Sequence, residues 1–264
     1  MLQGQVALVT GGGTGIGAVI SHELARHGAQ VAIASRDPEH HRGIIGEIES
    51  LGQEALALSA DVRRPDQVQT MVQQVLDKFG RLDILVNNAA GNFLCAAEQL
   101  SYNGWKAVVD IVLNGSFIVS QAVLPSMKTQ KGGNIINIGA TYAWLAAPYL
   151  AHSGAAKAGV LNLTRTLAVE WAGYGIRVNA VTPGPIEGTE GVSRLMGNPQ
   201  VREATIRSIP LRRLGKKEEI AWAILYLLSP AAAYVTGHNL VVDGGMCLGS
   251  RQYGAEGQGA AHIY

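Results

Sequence analysis

Short apolar runs alternate along the chain with longer segments in which apolar residues recur at helical spacing. Runs of four to eight apolar residues bounded by glycine, proline or polar residues are typical of strands buried on both faces of a parallel sheet. The pattern predicts strands at 6–10, 31–35, 54–59, 83–87, 133–138, 176–181 and 238–242. It predicts helices at 15–28, 38–51, 65–79, 103–130, 152–173 and 216–229, with an irregular segment from Pro183 to about Pro210.

One continuous alternation of strand and helix indicates a single α/β domain with a doubly wound parallel sheet, since right-handed crossovers place such strands in one sheet. No linker or repeat interrupts it. We expect this domain to span residues 1–247. The tail from 248 to 264, rich in glycine and alanine, is expected to be disordered or packed on a neighbouring subunit.

The first strand runs into a glycine-rich turn, Thr10-Gly11-Gly12-Gly13-Thr14-Gly15-Ile16-Gly17, and then into a helix. In this order of elements, glycines let backbone N–H groups approach a pyrophosphate at the positive end of a helix. Gly11, Gly15 and Gly17 are the three positions that matter most. The alternative is a tight turn without a ligand, because such a motif alone is weak evidence.

The second strand ends at Ser35 and Arg36. An acidic residue here would hydrogen-bond the ribose of NAD, whereas an arginine accommodates the additional phosphate of NADP. We therefore predict NADPH as the cofactor. The alternative is that Arg36 is a solvated side chain, and Asp37 beside it favours that alternative slightly.

Two later strand ends complete the expected cofactor cleft. After the third strand, Asp61 and Val62 are placed to contact the adenine, and Asn88, Ala89 and Ala90 follow the fourth strand. Small residues at such a strand end allow the backbone to face a cofactor.

The charge and the cysteines of the chain argue against several classes of function. The formal net charge is +1 with mixed signs along the chain, which suggests neither a nucleic-acid-binding stripe nor a polybasic membrane patch. Cys95 and Cys247 lack metal-ligand spacing, so we expect buried, reduced thiols and no structural metal. We see no secretory signal and no apolar run that spans a membrane, and expect a cytoplasmic protein.

Six motifs together resemble the classical short-chain dehydrogenase/reductase family from Leu2 to about Gly245. They are the glycine turn, Asn87-Asn88-Ala89-Ala90, Asn114 before Gly115, Lys157, Pro183-Gly184-Pro185 and Val242-Asp243-Gly244-Gly245. The resemblance implies a seven-stranded Rossmann sheet, a nicotinamide cofactor and a homotetramer. The implied cofactor-binding residues are Gly11, Thr14, Gly15, Ile16, Gly17, Ser35, Arg36, Asp61, Val62, Asn88, Ala89, Ala90, Lys157, Pro183, Gly184 and Ile186, with Thr189 a further candidate for the nicotinamide carboxamide.

The chain departs from this family at its catalytic positions. The family uses a serine, a tyrosine and a lysine, but the corresponding residues here are Ala140, Ser153 and Lys157. An aliphatic alcohol is far less acidic than a phenol, whose ordinary pKa is about 10, so Ser153 is a poor proton donor to a carbonyl product. Lys157 can still hydrogen-bond the nicotinamide ribose. Cofactor binding is therefore expected to survive, and ordinary ketone chemistry is not.

The same departure resembles the NADPH-dependent 2,4-dienoyl-CoA reductase subgroup, which implies an acyl-CoA substrate. In the mitochondrial type of this subgroup, the working tyrosine follows the fifth strand, which Tyr142 matches, and Asn92 matches the partner asparagine. Both would donate hydrogen bonds to the thioester oxygen of a dienolate. Ser153 is expected to hydrogen-bond in the pocket, and Asn114 to maintain a kink or a water site beside Lys157.

Alternatives remain at each step. Tyr142 could simply pack beside Trp144, Tyr149 could replace it, and Asn92 could cap a turn. The chain could be another short-chain reductase of a carbonyl or enone, or an NADPH-binding protein without activity. The segment at about 186–213 has the length of a lid over the substrate, and several of its arginines are candidate contacts for CoA phosphates.

Overall fold

A computed structural model describes residues 1–249, apart from the side chain of Leu195, and most of the predicted tail lies outside the described residues. Seven parallel strands form one sheet in the order β3-β2-β1-β4-β5-β6-β7, which confirms the predicted fold class. Every strand begins and ends within two residues of its predicted bounds. The strands are β1 (Val6–Thr10), β2 (Gln30–Ser35), β3 (Ala55–Ser59), β4 (Ile84–Asn87), β5 (Gly133–Ile138), β6 (Ile176–Pro183) and β7 (Asn239–Val242).

The helices alternate with the strands as predicted, except in the segment expected to be irregular. That segment contains two helices: one begins after the Thr189 cap, whose hydroxyl accepts from the Val192 amide, and the other begins at Pro199. The glycines and charged residues of this segment are typical of irregular chain, so the sequence pattern did not predict these two short helices. The helices are α1 (Gly15–Arg26), α2 (Arg42–Ser50), α3 (Pro65–Phe79), α4 (Tyr102–Val109), α5 (Gly115–Gln130), α6 (Ala151–Trp171), α7 (Glu190–Leu195), α8 (Pro199–Ser208) and α9 (Lys217–Leu228).

The α4 and α5 helices are joined by a π-helical segment, Asp110–Asn114. The resulting run, Tyr102–Gln130, is long and apolar enough to cross a membrane, so the expectation that no segment reaches this length was wrong. Half of its most apolar stretch is buried inside the protein. It packs against α3, α6 and the central strands, as the core helix of a globular domain does.

The core lies on both faces of the sheet. One layer contains α3, α5 and α6, represented by Val72, Val119 and Val160, and the other contains α1, α2 and α9, represented by Ile20 and Ile220. All residues of β1 and β4 are buried, because helices cover both faces of these central strands.

A buried polar chain crosses the first of these layers. The Asn87 amide donates to Asn137 Oδ1 at 2.9 Å and to Ser120 Oγ at 2.9 Å, and the Asn137 amide donates to Thr164 Oγ1 at 2.9 Å. Asn137 and Thr164 are almost completely buried. These bonds link β4 and β5 to α5 and α6 directly beneath the carboxyl edge of the sheet.

Replacing Asn137 with leucine tests this chain. Asn137→Leu keeps the side-chain size but removes partners from Asn87 and Thr164, and an unsatisfied buried polar group costs about 1–3 kcal/mol. We expect the free energy of unfolding, measured in urea, to fall by that amount. Asn162→Leu, at an exposed position of α6, is the control and should change it by less than about 0.5 kcal/mol. Equal losses of stability in Asn137→Leu and Asn162→Leu would contradict a stabilising role of the buried polar chain.

Candidate active site

The carboxyl ends of the strands open into one cleft composed of two adjoining cavities of about 710 and 920 Å³. Ile16, Arg36, Asn88 and Ala90 line both. The cleft lies where β1 neighbours both β2 and β4, so the chain order reverses there. Open α/β sheets bind ligands at this switch point.

The glycine turn shapes the first cavity. Gly11 has φ +62, which favours glycine, and a Cβ on Gly17 would lie 2.1 Å from the carbonyl oxygen of Gly11. The turn is joined to the loop after β4: Thr10 Oγ1 accepts from the amides of Asn88 and Ala89 at 3.0 Å, and the Asn88 side chain donates to the Gly11 carbonyl at 3.0 Å. A backbone cradle at a helix start fits a pyrophosphate.

Most predicted cofactor-binding residues line this cleft, and one does not. Asp61 is not among the lining residues and pairs with Arg63, whose Nε donates to Oδ1 at 2.9 Å and keeps the pKa of that carboxyl below its usual range. Ala60 and Val62 line the cavity there instead. The lining residues from the predicted set are Gly11, Thr14, Gly15, Ile16, Gly17, Ser35, Arg36, Val62, Asn88, Ala89 and Ala90 in the first cavity, and Lys157, Pro183, Gly184 and Ile186 in the second.

Tyr142 and Ser153 meet in the second cavity. Tyr142 lies in a 3-10 turn, Thr141–Ala143, directly after β5, and Ser153 lies in the first turn of α6. The Tyr142 hydroxyl is 3.4 Å from Ser153 Oγ. The phenol of Tyr142, carried by the turn, therefore approaches Ser153, the position on α6 at which the family has its tyrosine.

Lys157 lies one helical turn further along α6 and is almost completely buried. Its Nζ donates to the Ile138 carbonyl at 2.6 Å, and burial lowers its pKa from 10.5 to about 8. The ammonium is thus held at the end of β5, on the wall of the second cavity.

Asn92 also lines the second cavity, so the structure brings both predicted oxyanion donors to one cleft. Tyr149 does not line it: 59% of this residue is exposed and its φ is +67. Asn114 ends the π-helical segment between α4 and α5, as a residue expected to maintain a kink would. Its amide donates to Asp110 at 2.9 Å in the π-helical segment, and Val112 lines the cavity instead.

Other features were absent from the sequence predictions. His152 is fully buried, and its ring centroid lies 4.6 Å from that of Phe93. Arg194 of α7 donates to the Asn92 carbonyl at 2.7 Å, a contact across 102 residues that the sequence pattern does not show. Cys95 and Cys247 are partly exposed rather than buried. Within residues 1–249 no group of side chains suits a metal ion.

The sheet, the glycine cradle and the buried lysine and phenol that line one cavity are the features of an oxidoreductase with a nicotinamide cofactor. The family model described as enoyl-(acyl carrier protein) reductase matches residues 11–247. The chain belongs to the short-chain dehydrogenase/reductase family, and similar solved structures contain NAD+ or NADH.

Several known proteins are similar over nearly the whole chain. A probable 2,4-dienoyl-CoA reductase, (2E)-enoyl-CoA-producing, from Bacillus subtilis (strain 168) is 45% identical over 249 residues, 94% of this chain and 98% of its own. A peroxisomal 2,4-dienoyl-CoA reductase, (3E)-enoyl-CoA-producing, from Danio rerio is 46% identical, covering 95% and 84%. A crystal structure of a short chain dehydrogenase from Bacillus anthracis superposes with TM-score 0.87 and 47% identity, covering 96% and 100%.

The buried Lys157 predicts a pH dependence of stability. Its folded-state pKa of about 8 lies below the ordinary 10.5, so the charged amine destabilises the folded state below pH 8, and this penalty disappears as pH rises towards 10.5. We expect Lys157→Met to raise the free energy of unfolding more at about pH 7 than at about pH 10, measured in urea. Lys128→Met, at an exposed position, should show no such trend. A difference in the free energy of unfolding between Lys157→Met and wild type that increases with pH would contradict a lowered pKa of Lys157.

Proposed function

We propose that this protein reduces 2,4-dienoyl-CoA thioesters to enoyl-CoA with NADPH, in the β-oxidation of unsaturated fatty acids. The observation that carries the proposal is the position of the Tyr142 hydroxyl, 3.4 Å from Ser153 Oγ. The phenol is present in the cleft but comes from the turn after β5 rather than from α6. The names of the Bacillus subtilis and Danio rerio relatives support the same substrate class.

The reaction requires stabilisation of an anion more than protonation of an oxygen. When bound, NADPH supplies the hydride. Addition to the far carbon of the conjugated dienoyl chain drives negative charge onto the thioester oxygen and gives a dienolate. Hydrogen-bond donors fixed in advance around such an oxygen stabilise the transition state, and losing one typically costs about 10²–10³ in rate.

Tyr142 and Asn92 are the two donors in this proposal. The hydroxyl of Tyr142 and the side-chain amide of Asn92 line the same cavity. Ser153 Oγ contacts the Tyr142 hydroxyl and so orients the phenol. A proton then adds to carbon, and we expect addition next to the thioester, which leaves the remaining double bond at C3.

Lys157 is the cationic residue of the proposed site. Its ammonium is positioned by the Ile138 carbonyl and lies on the cavity wall. There it can hydrogen-bond the nicotinamide ribose, and its positive charge favours an anion in the cleft. Pro183, Gly184 and Ile186 line the same cavity and would contact the nicotinamide end of the cofactor.

The segment at 186–213 forms the lid of the proposed site. Its helices α7 and α8 contribute Val192, Arg194 and Thr205 to the cavity wall, so they would cover an acyl chain. The Arg194 bond to the Asn92 carbonyl joins this segment to the opposite wall.

A homotetramer remains an expectation from the family resemblance, and a cytoplasmic location remains an expectation from the sequence. Apolar side chains on outward helix faces support association: Phe117 of α5 is 42% exposed, Val169 of α6 81% and Trp222 of α9 53%.

The reaction is tested by loss of NADPH absorbance with a 2,4-dienoyl-CoA, beside a 3-ketoacyl-CoA. We expect turnover of the dienoyl substrate alone. Tyr142→Phe removes one oxyanion donor and should lower kcat about 10²–10³-fold. Tyr149→Phe is the matched control, because Tyr149 lies outside the cavity lining, and should keep kcat within about twofold.

Reduction of the 3-ketoacyl-CoA instead would refute the dienolate mechanism and favour a conventional carbonyl reductase. Tight NADPH binding without turnover of either substrate would indicate a binding protein. Equal losses in Tyr142→Phe and Tyr149→Phe would show that position in the cleft does not distinguish the two phenols.

The preference for NADPH over NADH is proposed from the end of β2. Arg36 is exposed and lines both cavities. No carboxylate lies within ion-pair distance of it in the described part of the chain, while the neighbouring Asp37 caps a turn by accepting from the Glu39 amide at 3.0 Å. A free guanidinium at this position suits the 2′-phosphate of NADP.

Arg36→Leu should therefore raise the Kd for NADPH at least about tenfold and change the Kd for NADH by less than about threefold, since a charge-assisted hydrogen bond contributes about 1.5–3 kcal/mol. Cofactor fluorescence titration measures both constants. Arg42→Leu removes a nearby arginine that pairs with Glu39 and lies outside the cleft, and should change neither. A wild-type preference for NADH would overturn the cofactor proposal.

A further inference from the structure

The loop that carries Asn92 has no regular structure of its own. Residues 88–96 form neither helix nor strand, although this loop supplies one of the two proposed oxyanion donors. A donor must be held close to its productive position, because a displacement of about 1 Å costs about 10²-fold in rate. Contacts from outside the loop must therefore set the position of Asn92.

Asn88 and Ala89 at the start of the loop are bonded to Thr10 and Gly11, and further contacts hold Asn92, Phe93 and Cys95. Arg194 Nη1 donates to the Asn92 carbonyl at 2.7 Å, the Cys95 amide donates to the Tyr149 carbonyl at 3.0 Å, and the Phe93 ring meets the His152 ring with centroids 4.6 Å apart and planes at 85°. Arg194 is half exposed and also pairs with Glu190, so it is not a fixed support for the loop. The Phe93 contact lies next to Asn92 in the chain, and its partner is fully buried.

His152 has the properties of a fixed support. Its Nδ1 accepts from the Ser153 amide at 2.9 Å, so the neutral ring carries its hydrogen on Nε2. Burial lowers the pKa of His152, against a smaller opposing effect of the Leu150 backbone, and keeps the ring neutral. Perpendicular packing at this distance is a favoured arrangement of two aromatic rings.

If this side chain served only to pack, a histidine would stabilise the fold less than an aliphatic residue. Its Nε2 is buried and has no hydrogen-bond partner within residues 1–249. A buried polar atom without a partner destabilises a fold, whereas an aliphatic side chain would fill the space without that cost. The Phe93 ring is partly exposed, and its Cζ packs near Gly104, where a Cβ would lie 3.0 Å from it.

His152 and Ser153 are consecutive residues in the first turn of α6. One contacts Phe93, the neighbour of Asn92, and the other contacts the Tyr142 hydroxyl. We propose that His152 is a positioning residue that, together with Ser153, fixes the spacing of the Asn92 and Tyr142 donors by holding the loop at 88–96 through Phe93. The inference rests on the proposed function for its effect on rate, but the loop contact is testable without substrate.

The test combines kinetics with hydrogen exchange of the loop. His152→Leu fills the space without an aromatic ring, and should lower kcat for a dienoyl-CoA at least about tenfold while changing its KM less than about threefold. Amide exchange in residues 91–95 should accelerate, and the melting temperature should not fall. His152→Phe restores perpendicular packing and should recover kcat and slow exchange. Phe93→Leu, which changes the other ring, should reproduce the effects of His152→Leu.

Leu94→Val is the matched control, since Leu94 is in the same loop, half exposed and outside the cavity lining, and should leave kcat and exchange unchanged. Unchanged kcat and exchange in His152→Leu, or failure of His152→Phe to recover either, would overturn the inference. If the wild-type protein reduces no dienoyl-CoA, the proposed function fails, and the exchange result alone decides whether His152 holds the loop.

Discussion

The active-site cleft depends on the hydrogen bonds that join the end of β1 to the end of β4. Thr10 Oγ1 accepts two backbone amides from Asn88 and Ala89, and the Asn88 side chain returns bonds to the carbonyls of Thr10 and Gly11. Parallel strands whose connections leave in opposite directions separate at their carboxyl ends, and this opening forms the cleft. The bonds fix its width. They join the glycine turn, which lines the first cavity, to the loop whose Asn92 lines the second.

A second constraint concerns where the phenol is attached. In the conventional arrangement it stands on the same helix as the lysine, four residues earlier, and that position here is Ser153. The cleft nevertheless contains a phenol, because the turn after β5 brings Tyr142 to the Ser153 hydroxyl. Lys157 remains on α6, in the wall of the same cavity. With the phenol on the turn, Tyr142 and Asn92 line the same cavity, an arrangement suited to an oxygen that needs two donors rather than a proton.

The sequence was informative where a local pattern determines the structure. Seven buried strands and the glycine turn follow from apolar periodicity and from backbone sterics, and both were predicted nearly to the residue. The helices α7 and α8 were missed because their caps, Thr189 and Asn198, lie among glycines and charges that indicate irregular chain. The pairing of Asp61 with Arg63 was not foreseen either, because spacing alone does not show which charged side chains pair.

The contacts that position the site were the least predictable, because they join distant parts of the chain. Arg194 reaches the Asn92 carbonyl and His152 reaches the Phe93 ring only once the sheet has assembled. Nothing in the local pattern around either residue indicates its partner. The identity of donors can thus be proposed from a resemblance, whereas the means of holding them in place requires the structure.

The most direct test of the dienolate account is the position of isotopic label in the product. The reaction is run once with NADPH deuterated at the transferred hydrogen and once in deuterated water with unlabelled NADPH. The account predicts cofactor-derived deuterium at C5 of the acyl chain and solvent-derived deuterium at C2, with the remaining double bond at C3. Cofactor-derived deuterium at the carbonyl carbon, or at C3, would contradict it.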